Sequence, residues 1–247
     1  ENGIAEEGDA RLLGVGISLP GTIDPVSGVL RQSLTLGVQE MNLQRLSQRL
    51  NYPVCFGHNA KNAALAECSG GAENMAYISL SDTVGGGAFL NGKCYTGDRF
   101  KAVLFGHMII VPRGKKCYCG KRGCLNAYCS ARSLCEESGM TLERFFSELE
   151  KGNEACEKLW GKYLDWLALA VSNVRTILDC GIIIGGDIGP YLKNYLDQLE
   201  TRVLKNIIFE NDMSFVKIGK YNREVFAIGA ARLMLESGIQ NSELLRG

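Results

Sequence analysis

One imidazole and three thiols, His107, Cys117, Cys119 and Cys124, fall within residues 107–124 of this chain. That is the donor set of a closed tetrahedral zinc site. Cys117-Tyr118-Cys119-Gly120 is too tight for an unstrained disulfide between its own two sulfurs, whereas a metal accepts both thiolates. Gly120 and Gly123 are expected to supply the positive φ angles of the knuckle. Lys115, Lys116, Lys121 and Arg122 are expected to offset the charge that three thiolates leave around the ion. Four protein ligands leave no position for water, so the expected metal is structural zinc. The competing reading is ordinary free thiols in a chain with 10 cysteines.

The elements that position these residues follow from pattern. A buried strand is expected over Leu12 to Leu19, ending at Pro20-Gly21, with further strands at Val29 to Arg31 and Pro53 to Phe56 and a helix around Leu43 to Leu50. Asn59 opens a helix over Ala60 to Cys68 that Gly70-Gly71 stops, and asparagine there is a good N-cap. Ala76 to Leu80 and Gly87 to Asn91 read as a hairpin around a polar turn, Ser81 to Gly86. Helices follow at Ala131 to Ser138 and from a Thr141 cap to Gly152. The longest, Glu154 to Leu178, carries Leu159, Tyr163, Leu167, Val171, Val174 and Leu178 on one face, and Gly181 is expected to end it. Ile182-Ile183-Ile184 is a central strand, Gly185-Gly186 its strand-to-helix turn, and Gly229 to Leu235 a last amphipathic helix.

At 247 residues the chain is long enough for two α/β lobes. Its 27 basic and 27 acidic residues balance, so no global field draws it to nucleic acid or anionic lipid. Glycine, 30 residues, is enriched over the ~7% norm and favours a fold with many strand-to-loop turns. No apolar run approaches the ~20 residues of a membrane span. Cysteines scattered through apolar runs suit a reducing cytosol, so a cytoplasmic location is expected. The chain begins at Glu1 without methionine, which leaves room for a signal or preceding domain.

The run from Phe105-Gly106-His107 through Cys117-Tyr118-Cys119-Gly120-Lys121-Arg122-Gly123-Cys124-Leu125 resembles the zinc signature of the ROK family (repressors, uncharacterised reading frames and sugar kinases). Gly14-Val15-Gly16-Ile17-Ser18-Leu19-Pro20-Gly21-Thr22-Ile23-Asp24, Asn62-Ala63-Ala64-Leu65-Ala66-Glu67, Asn91-Gly92-Lys93 and Ile184-Gly185-Gly186 agree in order, so the resemblance spans essentially the whole chain. It implies the actin-like ATPase and sugar-kinase (ribonuclease H-like) α/β fold, two lobes around a cleft. The first lobe is expected over residues 1–73 with the C-terminal segment 229–247 returning to it, and the second over 74–228 with the zinc loop at 107–124. The family's opening βββ unit with its Asp-x-Gly-Gly-Thr phosphate turn has no room in residues 1–11, so the first lobe is expected to be incomplete.

The resemblance also implies roles. The family's catalytic base is the Asp of an Asn-Asp pair at a helix start, and the matching residues are His58 and Asn59. An amide cannot act as a base near neutral pH, and losing a general base costs about 10²–10⁴-fold in rate. His58 has a suitable intrinsic pKa but sits one residue early on the same turn. Sugar-binding glutamates of the family fall at Leu104 and Asn126, of which only Asn126 can still accept a hydrogen bond. His107 is a zinc ligand whose second nitrogen is also a candidate ligand contact. The second phosphate turn is matched by Ser81-Asp82-Thr83-Val84-Gly85; with glycines gone and Asp82 repelling phosphate, Thr83 and Gly85, with Gly185 and Gly186 on the adenosine side, form a weakened ATP/Mg²⁺ site.

These departures favour a non-catalytic member, the sugar- or metabolite-sensing, dimerising body of a transcriptional regulator. Its DNA contact would come through a domain preceding Glu1. The alternatives are an ATP-dependent hexose or amino-sugar kinase and a purely structural zinc-bound dimer. A homodimer or higher homo-oligomer is expected in each case.

Overall fold

The computed structural model describes residues 12–25, 27–68 and 74–244. The expectations for residues 1–11, for Gly70-Gly71 and for the last residues of segment 229–247 lie outside them. In chain order the elements are β1 (Val15–Leu19), β2 (Thr22–Asp24), β3 (Val29–Ser33), β4 (Val38–Asn42), α1 (Gln44–Ser47), β5 (Val54–His58) and α2 (Asn59–Cys68). Then come β6 (Met75–Leu80), β7 (Val84–Leu90), β8 (Lys93–Cys94), α3 (Asn126–Cys129), α4 (Ala131–Ser138), α5 (Leu142–Glu150) and α6 (Glu154–Leu178). The chain continues through β9 (Gly181–Gly185), α7 (Gly189–Leu192), α8 (Leu196–Val203), β10 (Val216–Ile218) and α9 (Val225–Leu244).

Three sheets result. β1 and β5 pair in parallel, and β2-β3-β4 form an antiparallel meander beside them. The largest sheet runs β10-β9-β6-β7-β8, parallel across β10, β9 and β6 and antiparallel from β6 outward to β8. Its central strands β6 and β9 are buried almost throughout, as strands covered on both faces must be.

α2 joins the sheets. It is alanine-rich, with Ala60, Ala63, Ala64 and Ala66 all buried, because it packs β6 and β7 on one side and α9 on the other. Two missing side chains permit this approach: a Cβ on Gly87 of β7 would stand 2.5 Å from that of Ala64, and one on Gly229 of α9 would stand 1.8 Å from the Asn62 carbonyl oxygen. α9 also covers β1 and β5, so the C-terminal helix returns to the N-terminal strands. Glu67 locks the pair, its buried carboxylate accepting from the Lys220 and Tyr221 N–H groups at 3.0 and 2.9 Å in the segment leading into α9. Arg232 of α9 donates to the Leu65 and Ala66 carbonyls in the last turn of α2.

The second core lies under α6. Trp160 stacks on Tyr163 at 4.8 Å and meets Phe146 edge-on at 5.1 Å. Asn153 caps α6 through the Ala155 and Cys156 N–H groups, and Thr141 caps α5 through that of Arg144.

Several boundaries differ from expectation. α6 ends at Asp179, left-handed with φ 44°, rather than at Gly181, which opens β9. α5 stops at Glu150, and α1 fills only Gln44–Ser47 of the expected helix. Gly85 and Gly86 belong to β7, not the turn, because β6 pairs as far as Leu80 with Val84 and leaves only residues 81–83 to reverse the chain. α9 is much longer than Gly229 to Leu235, since α2 buries one face of it from its first turn. Among the described residues, no helix is long and apolar enough to cross a membrane.

Candidate functional site

The metal donors come together. Ligand atoms of His107, Cys117, Cys119 and Cys124 all lie within 4.8 Å of one another, with Cys119 Sγ 3.8 Å from Cys124 Sγ and His107 Nδ1 3.9 Å from Cys117 Sγ. Tetrahedral zinc–thiolate bonds of about 2.3 Å place two sulfurs roughly 3.8 Å apart, so the spacing fits the ion. A 3₁₀ turn, Phe105–His107, presents the imidazole, and the bridges Ile109–Cys124 and Lys116–Arg122 close the knuckle. Gly120 and Gly123 have φ of 85° and 82°, as the turn requires. Burial, then the hydrogen bond to Cys119 and the neighbouring thiols, push Cys124 up to about 12. Burial also raises Cys119, but hydrogen bonds led by the Lys121 N–H more than offset it and leave that thiol lowered. A divalent ion favours thiolate at every ligand. Two of the four flanking cations are occupied elsewhere, Lys115 by Glu137 and Arg122 by the Gly114 carbonyl.

A cleft of about 650 Å³ opens beside this loop. It is lined by the β5–α2 junction (His58, Asn59, Lys61), by Thr22, Gln32 and Thr35 of the meander, and by the segment Phe100 to Leu104. The segment from Ser81 through Gly86, which packs against Ala60 and Val103, lines it too, together with Asp187 and Arg223. His107 and Tyr118 reach the cleft from the 107–124 loop, so the imidazole belongs both to the donor cluster and to the cleft lining; its Nε2 lies 3.3 Å from the Tyr118 hydroxyl.

Asn59 does not act as a separate cap. It is the first residue of α2, and its Oδ1 accepts from Ser18 Oγ at 2.9 Å, while Ser18 Oγ accepts from Asn62 Nδ2 at 2.9 Å. With Oδ1 committed to Ser18, Asn59 offers an incoming oxygen its Nδ2 donor. His58 is half-buried, yet its Nδ1 is sealed from solvent without a hydrogen-bond partner among the described residues. Burial, and after it the nearby Lys61 ammonium, bring this imidazole down to about 4, so it stays neutral at physiological pH.

Leu104 lines the cleft and is 46% exposed. Asn126 is not among the lining residues: it is 7% exposed, and its Oδ1 accepts from the Val84 N–H at 2.7 Å, tying α3 to the start of β7. Thr83 and Gly85 line the cleft, whereas Gly185 and Gly186 do not. Gly186 serves the backbone instead, with φ 87° and a Cβ that would stand 2.7 Å from Leu80 N. Asp82 carries a partner that its local sequence hides, a bidentate contact from Arg132 at the start of α4. The expected repulsion of phosphate is thereby offset. Lys61, Asp187 and Arg223 were not anticipated from sequence; a lysine within the alanine run of α2 was the available signal.

Comparison with known proteins matches residues 4–237 to the model described as "ROK family". N-acetylmannosamine kinase of Vibrio cholerae is 30% identical over 200 residues, covering 76% of this chain and 69% of that protein. A ROK family glucokinase from Streptomyces griseus, solved with glucose and AMPPNP, superposes with a TM-score of 0.79 at 20% identity, covering 90% of this chain and 81% of its own. A ROK family transcriptional regulator, a homologue of the Escherichia coli MLC protein, gives a TM-score of 0.80 at 20% identity over 96% of this chain and 66% of its own. At these identities the two structures establish the fold, which is the actin-like ATPase and sugar-kinase architecture. The relatives matched in sequence carry kinase names. They overturn the expectation of a non-catalytic regulator body and leave the sugar-kinase alternative in its place.

Proposed function

The chain belongs to the ROK family, and on that footing we propose that it is an ATP-dependent sugar kinase acting on a hexose or amino sugar held in this cleft. The observation that carries the reading is the shared 650 Å³ cleft, which is lined both by the His58-Asn59 pair and by the segment from Ser81 to Gly86. Bound Mg·ATP supplies the transferable phosphoryl group and the charge shielding around it.

The chain's own residues supply position. The turn of residues 81–83 would lie beside the phosphates, where Arg132 cancels the Asp82 charge. Asn59 Nδ2 orients the attacking sugar oxygen without taking its proton, which passes to a phosphoryl oxygen or to water as the O–P bond forms and the bond to ADP breaks. Phosphoryl transfer passes through a loose transition state that depends mostly on positioning and electrostatics, so a site without a carboxylate base still works, at about 10²–10⁴-fold lower rate. We assign zinc to the His107, Cys117, Cys119 and Cys124 cluster, where it braces the loop between Leu104 and Asn126.

The test is sugar-dependent ADP release and sugar-phosphate formation from Mg·ATP with glucose, N-acetylmannosamine and an anionic sugar, glucuronate. Slow turnover is expected, raised about 10²–10⁴-fold by Asn59→Asp. Failure of both native protein and Asn59→Asp to form any sugar phosphate overturns the reading.

A further inference from the structure

The charges lining the cleft are unevenly satisfied. Its two carboxylates are paired, Asp82 with Arg132 and Asp187 with Arg223. Lys61 and Lys101, where α2 and the segment from Phe100 to Leu104 line the cleft, have no carboxylate within ion-pair distance among the described residues.

Lys61 is the more informative of the two. It stands between buried Ala60 and Asn62 on α2, is itself half-buried, and its Nζ donates to the Phe100 carbonyl at 3.1 Å. One carbonyl occupies one of three ammonium protons. A cation withdrawn from water without a counter-charge is costly, and burial accordingly lowers the Lys61 pKa. The titratable group that opposes this is the Cys94 thiol, which burial raises and so keeps protonated, and the cleft residues around Lys61 add no negative charge. His58 is neutral, and Asn59, Thr22, Gln32 and Thr35 are uncharged. A neutral sugar would leave this part of the cleft with uncompensated positive charge, whereas an anionic substituent would meet an ammonium already desolvated and anchored.

We propose that the sugar held in this part of the cleft carries an anionic group, a phosphate monoester or a carboxylate, and that Lys61 is its counter-charge. The inference rests on reading the cleft as a sugar site, and it is independent of turnover.

The experiment is calorimetric binding to zinc-loaded protein without nucleotide, at two salt concentrations. The probes are glucose, glucose 1-phosphate, glucuronate, N-acetylmannosamine and inorganic phosphate. An anionic sugar is expected to bind about tenfold or more tighter than its neutral congener, with the advantage shrinking in salt and falling toward parity in Lys61→Gln. Comparison of the phosphorylated and carboxylate arms identifies the anion. Lys101→Gln, at an exposed position, is expected to reduce the preference less.

Equal or tighter binding of the neutral sugars overturns the proposal, as does a preference that survives Lys61→Gln in folded protein. Inorganic phosphate binding as tightly as the sugar phosphate also overturns it, because the sugar would then contribute nothing. If Lys61→Gln weakens tripolyphosphate or ATP while leaving anionic sugars unaffected, the ammonium belongs to the nucleotide and the assignment fails. The kinase reading stands or falls separately, on ADP release.

Discussion

The metal loop and the lysine-lined part of the cleft adjoin each other and are built on opposite terms. In the loop each donor faces another donor: four ligand atoms lie within 4.8 Å, and the glycines adopt the backbone angles that the turn demands. Next to it, His58 Nδ1 is sealed without a partner, Lys61 has one carbonyl, and Asn59 is committed to Ser18. One region is complete once an ion is bound, while the other keeps desolvated polar groups whose partners must come from a ligand. Stability and activity are therefore expected to respond to different residues.

The largest expected effect is on the loop. Cys124→Ser, or chelation of the native protein, is expected to lower unfolding free energy by about 4 kcal/mol or more, because metal binding here is folding energy. Denaturant unfolding alongside metal analysis checks it; a full metal complement and an unchanged midpoint in the variant would erase the contrast between the regions. Next comes the scaffold beneath the cleft. Glu67→Ala strands the Lys220 and Tyr221 N–H groups and should cost about 2–3 kcal/mol, read from the urea midpoint. A cost below roughly 0.5 kcal/mol would mean that the α2–α9 lock does not hold the cleft in shape.

A smaller effect is expected with pH. The folded His58 pKa, about 4, lies below its ordinary 6.5, so between these values the unfolded chain binds the proton and the folded chain does not. Stability from this residue is fully present above about 6.5 and is lost as pH falls toward 4. His58→Asn should flatten that part of the stability profile. An NMR titration placing the imidazole near 6.5 in the folded protein would show that this part of the cleft is wetter than described. The smallest effect belongs to the turn: Asp82→Asn frees Arg132 from its bidentate contact and should tighten a nonhydrolysable ATP analogue a few-fold, with unchanged or weaker binding pointing to a different phosphate path.

Much of this was legible in the residues. α4 and α6 have the expected limits, because a Ser130 or Asn153 cap and a sustained apolar stripe are local signals. The metal cluster was legible for the same reason, its last three ligands lying within residues 117–124. The meander's third strand, the short helices α7 and α8, and β10 were not, since each is brief, and α8 and β10 are fixed by α6 and β9, which lie earlier in the chain. Only the stop signal of α6 differs from expectation, because Asp179 takes the left-handed position that glycine usually occupies.

Sequence alone, then, determined the His and Cys residues that gather in one cluster, the long helices, the family and the absence of a carboxylate at residue 59, all properties of residue type at short spacing. Tertiary structure decided which charges remain uncompensated. Asp82 finds Arg132 across 50 residues, Asn126 turns away from the cleft to the Val84 N–H, and Lys61 meets only a carbonyl 39 residues on. Electrostatic compensation depends on distance and burial, and neither can be read until the chain has folded.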